Sequence, residues 1–195
     1  GEVIKVKSYR ELNKTLTKIC REVYSSTPII KNELFNKQKL SSSISLARIK
    51  LLDAMIENHD KEDFGFPEDS FPPEKTIYYT CLFFILSYYT LFRKTGIHRI
   101  NEEGQYVLDT PIGEELIDLW NECESFVAST IEKPRKIIEL IKILKTQPFK
   151  LKQGFLEFWI PVYLFIRQQN FAIYNSNGAF VMSINKEFFE LLQKK

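Results

Sequence analysis

From Ser8 to Tyr24 the apolar residues Tyr9, Leu12, Leu16, Ile19 and Val23 recur at helical spacing, with charges on the opposite face. Such a stripe predicts an amphipathic helix. Thr27-Pro28 then reads as an N-cap followed by proline at the first helical position, and predicts a short helix over 29–36. Ser41-Ser42-Ser43 offers the next cap, ahead of an amphipathic helix over Ile44 to Asn58. The acidic stretch from Asn58 to Phe71, with Gly65 and Pro67, reads as a loop. Pro72-Pro73 opens an uncharged run of 17 residues, Thr76 to Phe92, that is apolar on every side. It is at the lower limit for a membrane span. Its four tyrosines, three threonines and one serine, and the charges that bound it, favour the central helix of a soluble domain.

Two hairpins interrupt the helices. Residues 97–100 and 105–108 flank Asn101-Glu102-Glu103-Gly104, and residues 171–174 and 179–182 flank Asn175-Ser176-Asn177-Gly178. Asn177-Gly178 is the stronger turn signal, so the second hairpin is expected to be the better formed. Helices are expected after each, at Thr110-Pro111 and near Asn185. Between the hairpins, Pro134 to Thr146 is strongly helical, and Gly154 to Gln168 carries a second apolar helix with a proline, Pro161, inside it as an expected kink. The pattern therefore predicts a mainly α fold with two small β-hairpins. Helices followed by a two-stranded wing suggest winged-helix units, a variant of the helix-turn-helix class. Two such units in tandem, packed together, would divide the chain into 1–131 and 132–195. Hairpins at the edge of an ordinary α-bundle are the plainer alternative.

Composition agrees with packed helices. Sixteen phenylalanines against seven glycines disfavour a turn-rich sandwich, and 44% hydrophobic with 27% charged residues excludes a disordered chain. Cys20, Cys81 and Cys123 are widely spaced on helical stretches, so free, buried thiols in a reducing cytoplasm are expected. The chain opens on Gly1 without a signal-peptide pattern, which suggests a piece of a longer protein.

Candidate chemistry is sparse. The sequence has no GxxxxGK phosphate loop. His59, beside Asp60, and His98, on a predicted strand, lack spaced partners, so each is expected to be solvated and no metal site is expected. Ser41 to Ser43 have no base beside them and read as a cap. Glu114, Glu115, Asp118, Glu122 and Glu124 read as the exposed face of one helix. No catalytic residue, cofactor or small-molecule substrate is expected.

A net charge of +2 supplies no global basic field, but the charge is segregated. Residues 28–50 hold Lys31, Lys37, Lys39, Arg48 and Lys50 against Glu33 alone. Residues 133–152 hold seven bases against Glu139 alone, whereas 102–124 hold eight acids and no base. The basic stretches could hold phosphates. They could equally be solvated faces that balance the acidic segment, within the chain or across a partner.

Several short patterns carry a resemblance. Pro28, Asn32-Glu33-Leu34, Asn36, Leu40-Ser41 and Ala47-Arg48 are followed by Pro73-Glu74 and by Tyr78 or Tyr79. Later come Lys133-Pro134-Arg135-Lys136, the run from Pro148 to Gly154, and Gly178-Ala179-Phe180-Val181. Together these resemble an accessory region of very large bacterial phage-defence P-loop ATPases of the BREX type. Lys150 departs from that pattern, which usually has glycine after Pro-Phe. The resemblance implies a winged-helix-like, non-catalytic region that couples an ATPase core lying elsewhere to DNA or to partner proteins. The expected phosphate contacts are Lys31, Lys37, Lys39, Arg48, Lys145, Lys150 and Lys152. The rival expectation is a protein-interaction scaffold that docks onto other domains or subunits without touching nucleic acid.

Overall fold

The structure, a computed structural model, describes residues 5–29, 32–33, 36–69, 72–82, 96–185 and 187–189. The fold is mainly helical with two small antiparallel hairpins. In chain order the described elements are α1 (Tyr9–Val23), α2 (Ser42–Asn58), a 3₁₀ turn (Glu62–Gly65), α3 (Pro73–Cys81), β1 (His98–Ile100) and β2 (Tyr106–Leu108). Then follow α4 (Glu114–Ala128), α5 (Ile137–Lys145), α6 (Gln153–Arg167), β3 (Ile173–Tyr174) and β4 (Phe180–Val181).

Local chemistry explains most of the boundaries. The Ser41 hydroxyl accepts from Ile44 N at 3.4 Å and so opens α2, as the cap reading requires. Pro72 and Pro73 open α3. Glu139 accepts from Lys136 N at 3.0 Å and fixes the start of α5. Beyond the second hairpin, Asn185 accepts from Phe188 N at 3.1 Å and starts a helical turn whose Phe188 and Phe189 are buried. The helix expected over 29–36 is not a regular element among the described residues. What remains there is a turn and bends, with one helical-type bond from Asn36 N to Asn32 O at 2.9 Å. Of the run from Thr76 to Phe92, α3 and Leu82 are described, with Ile77, Tyr78, Cys81 and Leu82 buried, and the rest lies outside the described residues. No helix among the described residues is long and apolar enough to cross a membrane.

One contiguous core runs from Ala47 to Phe189 and crosses the division expected near residue 131. Helix α6 is its axis. Eleven of its fifteen residues are buried, including Trp159, Tyr163 and Pro161. Trp159 meets Trp120 of α4 edge-on at 6.2 Å and donates to Cys123 Sγ at 3.4 Å. Glu124 of α4 grips Arg167 of α6 through two bonds, at 2.8 and 3.1 Å, and accepts from the Tyr163 hydroxyl at 3.0 Å. This corrects one expectation. Glu124 is not a member of a purely solvated face but half of a two-pronged ion pair, the geometry that makes carboxylate–guanidinium contacts strong. All three cysteines are free, and Cys81 and Cys123 are buried as expected, but Cys20 is exposed because α1 buries no residue.

The loop between α2 and α3 is also more ordered than its polarity suggests. Asp63 and Phe64 both adopt left-handed backbone angles, with φ of 49° and 53°. Side chains disfavour that region by about 1–2 kcal/mol per residue. Burial of Phe64 and the contacts of Asp63 with Lys75 and Tyr79 offset the strain.

Candidate nucleic-acid interface

The two lysine-rich stretches meet at the start of α6. Helices α5 and α6 are joined by a tight loop over 146–152. Leu151 N returns to Leu144 O at 2.9 Å, and Lys150 N bonds Thr146 O at 2.8 Å. Lys150 holds a left-handed backbone (φ 55°), the position where the resembled pattern has glycine. The irregular segment after Pro28 lies across the end of this loop. Gly154 N donates to Lys37 O at 2.8 Å, and Gln153 N to the Gln38 side-chain oxygen at 3.4 Å. The Thr27 hydroxyl reaches Pro148 O at 3.3 Å and also bonds Phe149 O.

These contacts seat Lys37 beside the start of α6, two residues from the N-cap Lys152. Lys37, Lys39, Lys145, Lys150 and Lys152 are all exposed. No acidic residue lies in the first turn of α6, and no side chain of its N-cap caps it. A helix N-terminus carries partial positive charge, although two of the first amides of α6 are already bonded to Lys37 O and the Gln38 side chain. The arrangement can receive phosphate oxygens by charge and by hydrogen bonding.

Two of the seven expected contacts stand apart. Lys31 lies outside the described residues. Arg48 is a correction: it faces inward from α2, its side chain only 4% exposed, and is bonded to Glu157 of α6. A guanidinium taken out of water needs a carboxylate beside it, and Glu157, also held by Gln153 at 2.9 Å, supplies one. Arg48 therefore ties α2 to α6 and presents nothing to an external phosphate.

The burial of α6 leaves few of its side chains free to meet base edges. The surface suits contact with a backbone rather than recognition of sequence.

A second polar cluster escaped the sequence reading altogether. His98, expected to be solvated, is wholly buried on β1. Its Nε2 lies 2.9 Å from His59 O and its Nδ1 lies 2.6 Å from the Tyr78 hydroxyl. A carbonyl can only accept, so Nε2 carries the proton and Tyr78 donates to Nδ1. Burial lowers the His98 pKa to about 4, and burial together with the charge of Asp63 raises that of Tyr78. Lys75, 2% exposed, donates to Pro67 O at 2.9 Å and sits 3.4 Å from Asp63, which also accepts from Tyr79. The cluster fastens the end of α2, the 3₁₀ turn, α3 and β1 to one another. Only its composition, histidine and tyrosines within apolar runs, hinted at it. Among the described residues no group of three or more His, Cys, Asp or Glu is placed to hold a metal ion.

No protein family, curated protein or solved structure matches the chain.

Proposed function

We propose that the chain is a non-catalytic accessory module of a larger bacterial defence ATPase, and that it holds nucleic acid by its phosphates at the mouth of α6. The observation that carries the reading is the bond from Gly154 N to Lys37 O, which brings the stretch that holds Lys37 and Lys39 against the one that holds Lys150 and Lys152. The burial of α6 supports affinity with little base preference, carried by backbone contacts.

The test is duplex binding as a function of salt. Replacing Lys145, Lys150 and Lys152 together by alanine should weaken binding equally on all sequences. It should flatten the dependence of log K on log salt by up to about 0.9 for each phosphate no longer neutralised. Lys37→Ala, from the other stretch, should release one further phosphate in the same way. Parent-like binding by the triple variant, or no duplex binding by the parent at low salt, would defeat the proposal.

The rival reading is a protein-interaction scaffold. It is favoured by the segment from Glu102 to Glu124, which carries eight acids without a base, of which Asp109 and Glu124 are paired with Arg99 and Arg167, and which leaves Ile112 and Ile117 exposed at 52% and 36%. A patch of that kind suits a basic, partly apolar protein surface and repels phosphates.

A further inference from the structure

Helix α1 is well made and contributes no residue to the core among the described residues. Ser8 accepts from Glu11 N at 3.2 Å, Glu11 accepts from Lys7 N at 2.7 Å, and Tyr24 N closes the far end on Cys20 O at 2.9 Å. Yet no residue of α1 is buried, and Tyr9, Leu12, Leu16, Ile19 and Val23 are 36–79% exposed. A helix of this length is marginal in water unless an apolar face is packed away. A face like this one calls for a partner.

The shape of the face identifies the partner. The five apolar residues follow a strict 3-4-3-4 spacing, two per heptad, with Tyr9, Leu16 and Val23 at a and Leu12 and Ile19 at d. That is the narrow seam of a coiled coil rather than the wider stripe of a helix lying on a globular core. The flanking e and g positions are Asn13, Thr15, Cys20 and Glu22, so two seams can close without bringing like charges together, Glu22 apart. The cations Arg10, Lys14, Lys18 and Arg21 take b, c and f positions, opposite the seam. On an anionic lipid surface, or on the acidic face of α4, the seam would point inward and these cations outward, where their attraction is wasted. In a pair of α1 helices they lie on the two outer faces, about 20 Å apart, beyond the screening length of about 8 Å at physiological salt.

We propose that α1 is a self-association helix, its seam closed by the same seam of a second copy of this chain. The five seam residues expose roughly 400–500 Å² per copy, so a pair buries at most about 800–1,000 Å², the size of a weak, transient contact. The association is therefore weak, reversible and concentration-dependent. It is independent of the phosphate-binding surface.

Sedimentation equilibrium of the chain from about 1 to 300 µM tests it. The parent should shift from monomer to dimer across this range. Leu16→Lys, in the seam, should weaken association by roughly tenfold or more. Its melting transition should be unchanged, because α1 contributes nothing to the core. Lys14→Glu, on the opposite face, should dimerise like the parent. Cys20 provides a second readout. It is the exposed thiol, whereas burial pushes the Cys81 and Cys123 thiols up to about 12, so a nitroxide can be placed on Cys20 selectively. Dipolar coupling between copies should appear in the parent and vanish in Leu16→Lys. A parent that stays monomeric throughout, including one that instead binds anionic vesicles, would overturn the proposal. So would a Leu16→Lys variant that associates as the parent does, or a Lys14→Glu variant that fails to.

Discussion

The two hairpins of this protein have the same turn and opposite surroundings. In the first, the Asn101 side chain accepts from Glu103 N at 3.0 Å and Gln105 N at 2.9 Å, and Gly104 takes φ 80°. In the second, Asn175 accepts from Asn177 N and Ala179 N, both at 2.9 Å, and Gly178 takes φ 80°. The loops are chemically alike, as asparagine at the first position and glycine in a left-handed conformation demand. Beyond the loops they diverge. β1 and β2 pair over three positions, and His98 is buried while Arg99 binds Asp109 at 2.7 Å and the carbonyls of Gly96 and Thr110. β3 and β4 pair over two, and the rings of Tyr174 and Phe180 meet at a tilt, 5.7 Å apart, while remaining 63% and 55% exposed. The second hairpin, expected from Asn177-Gly178 to be the better formed, is the shorter and the more exposed. A good turn allows a hairpin, but three-dimensional neighbours decide how much of it is held.

Removing the anchor of the first hairpin should have the largest effect. His98→Ala removes the bonds that His98 makes with the Tyr78 hydroxyl and the His59 carbonyl and opens a cavity in the core. A loss of about 3–4 kcal/mol is expected in chemical denaturation, together with hydrogen-exchange protection at Arg99 and Val107 falling toward that of β3–β4. An unchanged midpoint would mean that the first hairpin is no better anchored than the second.

Acid should produce a somewhat smaller version of the same effect. The His98 pKa is lowered from 6.5 to about 4 in the fold, so between these values the unfolded chain takes up a proton that the folded chain refuses. Stability therefore falls as pH drops from about 6.5 toward 4, by on the order of 2–3 kcal/mol for this group. Stability measured at stepped pH in parent and His98→Ala should differ in slope within that window. Equal slopes would remove His98 as the source.

The smallest effect is the sharpest comparison of the turns themselves. Asn101→Ala and Asn175→Ala each delete two side-chain bonds to backbone amides. The local cost should be similar, about 1 kcal/mol. At Asn101 it should lower the global melting temperature, because β1–β2 unfolds with the core. At Asn175 it should appear only as faster exchange in residues 173–181, because that hairpin frays by itself. Equal global losses would show that both hairpins belong to one cooperative unit.

What could be read from the sequence was local. Ser41, Pro73 and Asn185 marked helix starts correctly, since a cap or a proline acts on the backbone within a turn of itself. The two hairpin loops and the amphipathic patterns of α1 and α2 were legible for the same reason: turn chemistry and side-chain spacing act within a few residues. Five lysines of the expected basic surface are exposed, but nothing in their spacing placed Lys37 against Gly154, a contact between distant segments. Nor could spacing reveal that Arg48 and Glu124 are held by Glu157 and Arg167, or that Thr27 reaches across 122 positions to Phe149. The charge of a side chain is written in its identity, but its solvation is a property of the elements folded around it. That is why tertiary structure alone decided that His98 is buried and neutral while the seam of α1 lies open.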